Sequence, residues 1–516
     1  MCGIVGFIGC KPAAPLLLEG LAKLEYRGYD SAGIALAGEN GVVIHKAKGR
    51  LGVLREMIGD GAGLPETAGI GHTRWATHGK PSDENSHPHR SASGRFAVVH
   101  NGIIENYAAL KKEMQEEGVV FLSETDTEVI AHLIEKAYAG DFLSAVRAAV
   151  ARLEGSYALG VLCSEHPDEL IAVRRSSPLV VGLAKEGNFI ASDVPAVLSH
   201  TRRFYQLADG ETAVLRRDGV TVFDGAGRPV QKVEMQVTWD VSSAEKGGYP
   251  HFMIKEIMEQ PQALSATISP RISPEGRIVL DGISLTAAQL KKVSRIYIVA
   301  CGSAYHAGVV GKYVLEKLTR IPVEVDLASE FRYRDPIVDS RTLVLIISQS
   351  GETADTLAAL REAKKRGARV LSIVNVVGSS IASESDDVLY TWAGPEISVA
   401  TTKAYSTQLT MLYLIAFYIA EKLGHIDDRD LRRLLSALVR LPDMVSGILR
   451  QASEIEQLAQ RYAYLEHAYF IGRNLDYAVA LEASLKLKEI SYIHSEAYAA
   501  GELKHGTISL IEEGTF

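Results

Sequence analysis

The stretch TLVLIISQSGETADTLAALREAKKRG (342–367) contains, in order, an apolar run, a polar loop and a helical pattern. The apolar run shows no polar alternation, which is typical of a parallel strand covered on both faces. The helical pattern closes with three basic residues before Gly367, and this arrangement favours a helix end. Two further runs, RIYIVA (295–300) and RVLSIVNV (369–376), have the same apolar character. The second half of the chain is therefore predicted to form a parallel α/β sheet.

A repeat extends this prediction towards the carboxyl end. RIYIVACGSAYHAG (295–308) and AYFIGRNLDYAVALE (468–482) both read as a strand, a short polar turn and a helix, which predicts two similar α/β subdomains. The sequence continues for roughly 50 residues into the second copy, whereas a doubly wound domain usually has about 100 or more. We expect the second subdomain to be incomplete.

The first 240 or so residues have a different pattern. Short β-rich runs such as GVVIHKAKG (41–49) and SYALGVLCSE (156–165) are separated by Gly, Asn and Asp turns, which predicts strands of layered sheets. TDTEVIAHLIEKAYAG (125–140) has one apolar face and predicts a helix with Thr125 or Asp126 as its N-cap. The polar, glycine-containing stretch at the start of 240–257 predicts a linker that leads into a helix.

Composition restricts the class of protein. The 516 residues suffice for two or three domains, and 47% hydrophobic and 23% charged residues are ordinary for a soluble globular protein. A formal net charge of −8 argues against broad nucleic-acid binding, which needs clustered positive charge.

The cysteines and the apolar segments bear on localisation. Four cysteines without a CxxC pair predict a reducing compartment, with neither a disulfide framework nor structural zinc. Residues 1–10 lack the basic stretch and the long apolar run of a secretory signal. The apolar run MLYLIAFYIA (411–420) is too short to cross a bilayer and predicts a buried helix. We expect a cytoplasmic protein without membrane contact.

Cys2 is a candidate nucleophile. A thiol needs a nearby base to become a thiolate. Removal of Met1 would give Cys2 a free α-amine, whose reference pKa lies close to neutral pH, so that one residue supplies both nucleophile and base. The alternative is an incidental cysteine in a frayed terminus.

Two polar stretches could complete such a site. GIGHTRWATHGKPSDENSHPH (69–89) holds four histidines together with an arginine and a tryptophan, and is interpreted as a substrate loop, a metal site or a set of hydrogen-bonded loop histidines. In HNGIIENY (100–107), the Asn101 amide and the Gly102 N–H can donate to a developing oxyanion. Asn-Gly is also the commonest hairpin-turn signal.

Six motifs occur in order over about 130 residues: CGIVG (2–6), LEYRGYDSAG (24–33), HTRWATHG (72–79), HPH (87–89), HNGIIEN (100–106) and SETDTEVI (123–130). Together they resemble the class II glutamine amidotransferases. The resemblance implies an N-terminal-nucleophile hydrolase domain with a four-layer αββα fold. It also implies that Cys2 attacks the amide carbon of L-glutamine, giving a thioester and releasing ammonia, and that Asn101 and Gly102 form the oxyanion hole.

The same resemblance assigns the residues that bind glutamine. Arg74 would pair with the substrate α-carboxylate, a task suited to a planar guanidinium. Asp126 would hold the α-ammonium group. Trp75 and His78 would line the pocket.

Three loops of the second half follow strands or precede a helix: 300–308, 348–356 and 396–408. In open α/β sheets, ligands bind at the carboxyl ends of strands, where helix N-termini point N–H groups outward. The hydroxyls and amide of SQSGET suit a phosphate, and the alternative is an ST-rich N-cap. The candidate residues of this loop for a sugar phosphate are Ser348, Gln349, Ser350 and Thr353.

These loops resemble the sugar isomerase (SIS) family of phosphosugar-binding domains. The resemblance adds Ser303, Val399 and Thr401 to the candidate residues for a sugar phosphate. Combined with the glutaminase half, the resemblance implies transfer of glutamine nitrogen to fructose 6-phosphate with isomerisation to glucosamine 6-phosphate. In KLKEISYIHSEAYAAGELKHG (486–506), Glu489 would move a proton between C1 and C2, His505 would assist ring opening, and Lys486 would lie near the sugar. The alternative for KLKE is an amphipathic helix with solvated lysines.

Three departures from the SIS pattern bear on activity. Ser303-Ala304 stands where Thr-Ser is usual, Thr507 stands where proline is usual, and no lysine follows Lys504, although the related enzymes form a Schiff base with a lysine in a carboxy-terminal tail. We therefore expect a fragment, and a glutaminase-only protein or a phosphosugar-binding regulator remains the alternative to full synthase activity. A phosphoribosyl acceptor would need consecutive acidic residues after a strand, and none is found.

The resemblance also implies a homodimer, and no metal or organic cofactor is expected. The expected organisation is a class II glutaminase domain (1–239), a linker with a connecting helix (240–285), a first SIS subdomain (286–425) and a truncated second one (455–516).

Overall fold

The computed structural model describes residues 2–25, 28–38, 41–76, 78–237, 246–273 and 275–516. The chain divides into two compact units, Met1–Ala244 and Glu245–Phe516. The first residues of the predicted linker, 240–245, lie outside the described part of the chain.

The amino-terminal unit consists of antiparallel strands and short helices. Its strands are β1 (Gly3–Gly9), β2 (Ser31–Gly38), β3 (Gly41–Lys48), β4 (Ala68–Arg74), β5 (His89–Arg90), β6 (Phe96–Ile104), β7 (Gly155–Cys163), β8 (Leu170–Arg175), β9 (Val180–Ala184), β10 (Gly187–Ala191), β11 (Arg203–Gln206), β12 (Thr212–Arg216), β13 (Gly219–Phe223), β14 (Pro229–Val230) and β15 (Met235–Gln236). Its helices are α1 (Ala13–Leu24), α2 (Leu51–Ile58), α3 (Tyr107–Glu116), α4 (Glu128–Ala137) and α5 (Phe142–Val150).

These strands form two sheets, ordered β15-β11-β9-β10-β1-β4-β2-β3 and β14-β13-β12-β8-β7-β6-β5. Strand β1 alternates between two cores: Ile4 packs against residues of the second sheet, such as Val99, whereas Val5 packs against Leu17 of α1. The outer face of the second sheet is covered by α4 and α5. Because apolar side chains lie on both faces of each sheet, the layers stack as helix, sheet, sheet, helix, and the predicted αββα fold is confirmed.

The predicted N-cap of the helix in 125–140 was wrong. Helix α4 starts at Glu128 with Thr127 at the capping position, and Thr127 makes no side-chain capping bond. Asp126 instead accepts a hydrogen bond from the backbone N–H of Ile104 at 2.8 Å. The carboxylate that the sequence offered as a helix cap therefore points to the end of β6.

The carboxy-terminal unit is built mainly of helices around parallel strands. Its helices are α6 (Phe252–Met258), α7 (Gln260–Ile268), α8 (Ala287–Leu290), α9 (Gly302–Thr319), α10 (Ala328–Tyr333), α11 (Ala354–Lys365), α12 (Ser380–Glu384), α13 (Lys403–Leu423), α14 (Asp428–Val439), α15 (Leu441–Leu449), α16 (Ala452–Tyr462) and α17 (Leu475–Ser491). Its strands are β16 (Arg295–Ala300), β17 (Val323–Leu327), β18 (Thr342–Ser348), β19 (Arg369–Val374), β20 (Asp387–Tyr390), β21 (His467–Gly472) and β22 (His494–Ala499).

Five of these strands form a parallel sheet in the order β17-β16-β18-β19-β20. One face packs against α9 and α13, and the other packs against α10, α11 and α12. The apolar run 411–420 lies within α13, whose inward residues are buried as predicted. The doubly wound sheet expected from the opening stretch is thus confirmed, because its strands are covered on both faces.

The second copy of the repeat also folds as strand, turn and helix. Strand β21 leads into α17 and pairs in parallel with β22 in a separate two-stranded sheet. Helix α17 packs against α9, the corresponding helix of the first copy. No helix in the described ranges has the length and apolarity needed to span a bilayer.

Candidate functional site

The register of the first sheet places Cys2 beside the end of β4. Strands β1 and β4 are antiparallel with Gly3 opposite Thr73, so the residue before Gly3 meets the residues after Thr73. The backbone N–H of Trp75 donates to Cys2 Sγ at 3.2 Å, and the thiol lies 3.5 Å from the Trp75 carbonyl oxygen. Because β1 is buried in the interior of the sheet, the interpretation of Cys2 as part of a frayed terminus was wrong.

Burial governs the protonation of Cys2. It raises the pKa of the thiol, while the hydrogen bond from Trp75 and the positive charge of Arg74 act in the opposite direction. A thiol with a raised pKa is protonated at neutral pH and must pass its proton to a base when it attacks. Met1, whose removal would expose the α-amine, lies outside the described residues.

Strand β6 of the second sheet brings Asn101 and Gly102 to the same place. The Asn101 side-chain nitrogen donates to the Cys2 carbonyl oxygen at 3.0 Å. Gly102 has a φ of +134°, and a Cβ there would lie 2.0 Å from the Ser156 carbonyl oxygen, so only glycine fits. Both residues lie inside β6 and pair with β7, and the hairpin-turn interpretation of Asn-Gly was therefore wrong.

Arg74 presents part of its guanidinium without a partner. Its Nη2 donates to the carbonyl oxygens of His78 and Gly79. Its Nη1 is buried and has no hydrogen-bond partner among the described residues. Burial lowers the pKa of Arg74, and the nearby Cys2, Asp30 and Asp126 oppose this shift. A buried guanidinium nitrogen without an acceptor is the group that an incoming carboxylate would satisfy.

The remaining glutamine-site candidates surround this arginine. Asp126 is buried, with one carboxylate oxygen bonded to the Ile104 N–H. The ring of Trp75 is 43% exposed and packs edge-on against Tyr29. The ring of His78 packs edge-on against Tyr107. Cys2 thus contacts both Trp75 and Asn101 directly, and Arg74 precedes Trp75 in the chain.

Four buried histidines lie behind this site: His72, His87, His89 and His100. Burial lowers the pKa of each, so all four are neutral at physiological pH. His89 bonds to Thr125 at 3.2 Å and His100 to Thr127 at 2.9 Å. Across the described residues, no three His, Cys, Asp or Glu side chains are grouped to hold a metal ion. The histidines form a hydrogen-bonded layer.

The second unit has a cavity of about 180 Å³ at the carboxyl ends of β16 and β18. It is lined by Cys301, Ser303, Ala304, Ile347, Ser348, Gln349, Ser350, Thr353, Thr356, Thr401 and Gln408. None of these lining residues, all in the described part of the chain, carries a formal charge. The lining offers hydroxyls, amides and helix N-termini, which suit a phosphate held by neutral donors.

The loop between β18 and α11 forms one wall of this cavity. The Gly351 N–H donates to Ser348 Oγ, and Ser348 Oγ lies 3.1 Å from Thr353 Oγ1. Gly351 has a φ of +66°, and a Cβ there would lie 1.9 Å from Ser379 Oγ. Thr353 occupies the capping position of α11 without a side-chain capping bond, so the N-cap interpretation of SQSGET is wrong for this hydroxyl.

Six of the seven sugar-phosphate candidates line the cavity, from Ser303 to Thr401. Val399 does not, and its side chain is 77% exposed. The loop that contains Val399 is bound by Glu256 of α6. The Glu256 carboxylate accepts hydrogen bonds from the N–H groups of Ile397 and Ser398 at 2.6 and 3.0 Å. Burial raises the pKa of Glu256 to about 7.

Sequence reasoning missed three polar lining residues, Cys301, Thr356 and Gln408. Thr356 lies three residues after Thr353 on α11, so helical spacing could have placed both on one face. Gln408 lies one and a half turns into α13, is 2% exposed, and its Oε1 has no hydrogen-bond partner among the described residues. A polar residue on a buried helical face was the signal for it.

The isomerase candidates lie outside the cavity lining. Lys486 forms ion pairs with Glu489 and, at 3.5 Å, with Glu482, so it is not simply a solvated lysine. His306, three residues after Ser303, bonds to Glu482 at 2.8 Å and joins this group to the helix beside the cavity. His505 is exposed in the turns that follow β22, and the ion pairs of Lys486 are with Glu482 and Glu489, not with His505.

Family models match both units. A glutamine amidotransferase domain model matches residues 72–199, and a SIS domain model matches residues 289–418 and 464–516. The carboxy-terminal part is similar to the solved carboxy-terminal domain of glucosamine-fructose-6-phosphate aminotransferase from Francisella tularensis. The two are 44% identical with a TM-score of 0.51 over 52% of this chain and 76% of that one.

Curated relatives match along the whole chain. The glutamine–fructose-6-phosphate aminotransferase (isomerizing) of Caldanaerobacter subterraneus subsp. tengcongensis is 60% identical over 515 residues, which are 100% of this chain and 84% of the relative. The protein of the same name from Clostridium tetani is 58% identical over 515 residues, which are again 100% of this chain and 84% of the relative. At this identity over this length, the chain belongs to the glutamine–fructose-6-phosphate aminotransferase (isomerizing) family.

Proposed function

We propose that the protein converts L-glutamine and D-fructose 6-phosphate to L-glutamate and D-glucosamine 6-phosphate. The observation that carries this proposal is that one chain contains both a half-buried cysteine in contact with Trp75 and Asn101 and a neutral cavity suited to a phosphate. Free ammonia is largely protonated in water and is then no nucleophile. A glutaminase therefore benefits from an acceptor site in the same protein.

The first half-reaction is glutamine hydrolysis at Cys2. Its sulfur attacks the amide carbon, and the thiol proton passes to the α-amine that removal of Met1 would expose. One Asn101 N–H is used by the Cys2 carbonyl, and the other N–H, with that of Gly102, would donate to the oxyanion. The amine returns the proton to the leaving ammonia. Water then cleaves the thioester to give glutamate.

Glutamine would be held by its two α-substituents. The unpartnered Nη1 of Arg74 would bind the carboxylate, and Asp126 would bind the ammonium group. Trp75 and His78 would form the walls of the pocket. This arrangement fixes the γ-amide at Cys2 and provides the positioning that a slow hydrolysis requires.

The second half-reaction would occur beside the cavity. Ser303, Ser348, Gln349, Ser350, Thr353 and Thr401 would hold the phosphate and sugar. Val399, which is exposed and outside the lining, would contact the sugar only at the surface. Ammonia adds to the C2 carbonyl and water leaves, giving an imine. A proton then moves from C1 to C2 and the C1 hydroxyl proton passes to the nitrogen, which yields the amino aldose. We assign this proton transfer to Glu489, ring opening to His505, and a place near the sugar to Lys486.

The test is to incubate the full chain with glutamine, with and without fructose 6-phosphate, and to measure glutamate and glucosamine 6-phosphate. Both products are expected when both substrates are present. Cys2→Ala should abolish glutamate formation and leave phosphosugar binding intact. Cys10→Ala, which removes an exposed free thiol just after the end of β1, is the matched control and should be fully active.

Each negative outcome has a defined meaning. If the wild type forms no glutamate, the assignment of Cys2 as nucleophile is overturned. Glutamate without amino sugar would contradict the synthase proposal and favour a glutaminase. Phosphosugar binding without either product would favour a regulator.

We further propose that the protein is cytoplasmic, as its cysteine pattern predicts, and that it is a homodimer, as the resemblance implies. Light scattering coupled to size-exclusion chromatography measures the mass in solution. A mass near 56 kDa, that of one chain, would contradict the dimer.

A further inference from the structure

His72 contacts two acceptors in the glutaminase unit. It lies on β4, two residues before Arg74, and is fully buried. Its Nε2 lies 3.0 Å from the His100 carbonyl oxygen and 3.0 Å from Asn101 Oδ1. Because a carbonyl oxygen only accepts, Nε2 must carry the hydrogen.

This tautomer determines which way the Asn101 amide faces. A nitrogen that already carries a hydrogen needs an oxygen opposite, so the amide oxygen of Asn101 faces His72. The amide nitrogen is then directed at Cys2, whose carbonyl oxygen it contacts at 3.0 Å. The His100 carbonyl oxygen therefore fixes the tautomer of His72, and His72 in turn fixes the orientation that Asn101 needs as an oxyanion donor.

The ring of His72 is itself held in place. It stacks on the ring of His87 with centroids 4.1 Å apart, and His87 Nδ1 accepts the backbone N–H of His100 at 3.3 Å. Burial lowers the pKa of His72 to about 3, so the ring stays neutral across the physiological range. A neutral ring with one hydrogen and a fixed plane has a single donor direction.

We propose that His72 is a positioning residue for glutamine hydrolysis, which holds the Asn101 amide nitrogen towards the oxyanion of the Cys2 adduct. This inference rests on the proposed glutaminase function. Without the Nε2 donor, the Asn101 amide can rotate by half a turn and direct its oxygen at the developing negative charge. Loss of one oxyanion donor lowers kcat by roughly 10²–10³. The KM for glutamine should change little, because Arg74 and Asp126 are untouched.

Two amide variants test the position of the donor. In His72→Gln the side-chain N–H₂ reaches the place of Nε2, whereas in His72→Asn it reaches only the place of Nδ1. We expect His72→Gln to keep at least about one third of the wild-type kcat for glutamine hydrolysis. His72→Asn should lose roughly 10²–10³-fold with KM within about threefold. His132→Asn, which removes another buried imidazole of the same unit, is the control and should retain kcat.

Two further readouts separate positioning from general damage. The aldehyde analogue of glutamate forms a thiohemiacetal with Cys2, in which sulfur adds to the carbonyl carbon and the thiol proton moves to the oxygen. Its affinity should fall in His72→Asn by the same factor as kcat, while the affinity for glutamate stays within about threefold. The double variant of His72→Asn with Asn101→Ala should be no slower than Asn101→Ala alone.

Equal kcat in the Asn and Gln variants, or additive losses in the double variant, would overturn the proposal. A measurement on the wild type keeps it falsifiable if a variant does not fold. Nitrogen-15 NMR of the histidines, with His72 assigned by its absence in His72→Gln or in His72→Phe, should show the Nε2–H tautomer. An Nδ1–H tautomer would also overturn the proposal. If the wild type does not hydrolyse glutamine, the proposed function fails, whereas each of the outcomes that overturn this inference is observed on a wild type that hydrolyses glutamine.

Discussion

His306 Nδ1 donates to Glu482 Oε2 at 2.8 Å. The two residues belong to α9 and α17, which are the corresponding helices of the two repeat copies. Glu482 is almost completely buried, and its other oxygen lies 3.5 Å from Lys486 Nζ. A buried carboxylate that loses one of its partners is costly, because its desolvation is no longer offset.

Replacement of His306 should therefore destabilise the carboxy-terminal unit in a way that depends on the donor. His306→Leu leaves Glu482 without its nitrogen donor and is expected to lower the free energy of unfolding by about 1–3 kcal/mol. His306→Asn can place an N–H at the same position and should recover most of this loss. Urea denaturation followed by circular dichroism measures the difference. Equal stability of His306→Leu and wild type would show that the contact contributes nothing.

The reactivity of Cys2 should follow the pH dependence of a thiol with a raised pKa. Because burial raises its pKa, the thiolate fraction is small at neutral pH and increases about tenfold per pH unit until the raised pKa is reached. The rate of Cys2 alkylation by iodoacetamide is expected to increase in the same way between pH 7 and 9. Cys10→Ala removes the competing exposed thiol, and mass spectrometry of the amino-terminal peptide gives the rate. A rate that is constant over this interval would mean that the resting group is already a thiolate.

The buried histidine layer predicts acid sensitivity of the amino-terminal unit. Burial lowers the pKa of His72 from 6.5 to about 3, and those of His87, His89 and His100 also fall. Below pH 6.5 these histidines bind protons in the unfolded chain but stay neutral in the folded chain. The free energy of unfolding therefore decreases as the pH falls from about 6.5. Each such histidine contributes a slope of at most about 1.4 kcal/mol per pH unit.

Tryptophan fluorescence in urea, measured at pH 7.5 and 5.5, tests this expectation. The free energy of unfolding should be lower at pH 5.5. In His89→Gln, one proton fewer is bound on unfolding, and the pH dependence of the free energy should be smaller accordingly. A profile that is flat between these values would contradict the assignment of neutral, buried rings.

Gln408 is expected to contribute directly to phosphosugar binding. It lines the cavity, and its Oε1 has no partner among the described residues, so a ligand can satisfy the amide. Gln408→Met keeps the length of the side chain and removes its hydrogen bonds. The Kd for fructose 6-phosphate should rise about 5–30-fold, as for one lost hydrogen bond to a charged or polar group.

Titration calorimetry on the full chain measures this Kd. Gln451→Met, on the exposed start of α16, is the matched control and should bind as the wild type does. Glutaminase activity without sugar should be the same in all three proteins. An unchanged Kd for Gln408→Met would remove Gln408 from the site.

Much of the fold could be predicted from local patterns, and the strand limits show why. The apolar run 342–348 corresponds residue for residue to β18, because a strand covered on both faces needs apolar side chains throughout. RVLSIVNV extends two residues beyond β19, since the polar Asn375 leaves the strand and bonds to Gln349 and Gly394. Polar residues at strand ends belong to loops when a neighbouring loop offers partners.

The parts of the site whose geometry depends on tertiary contacts could not be predicted from the sequence. Asn101 and Gly102 have the residue types of a turn, yet β7 pairs with them and keeps them extended. Val399 lies in a predicted loop, but loop membership does not determine which side chains face inward. The role of His72 depends on the carbonyl of His100 on another sheet, and no local pattern reports such a contact.

The uncharged lining of the phosphosugar cavity has a consequence for its response to solution conditions. Hydroxyls, amides and helix N-termini act over one turn of helix or less, whereas a lysine or arginine attracts anions over a Debye length of about 10 Å at 0.1 M salt. With no formal cation among the described lining residues, the lining itself gives sugar phosphates no long-range steering. Recognition is then a matter of shape and hydrogen bonding at close contact. The contribution of the lining to sugar-phosphate binding should accordingly depend little on ionic strength.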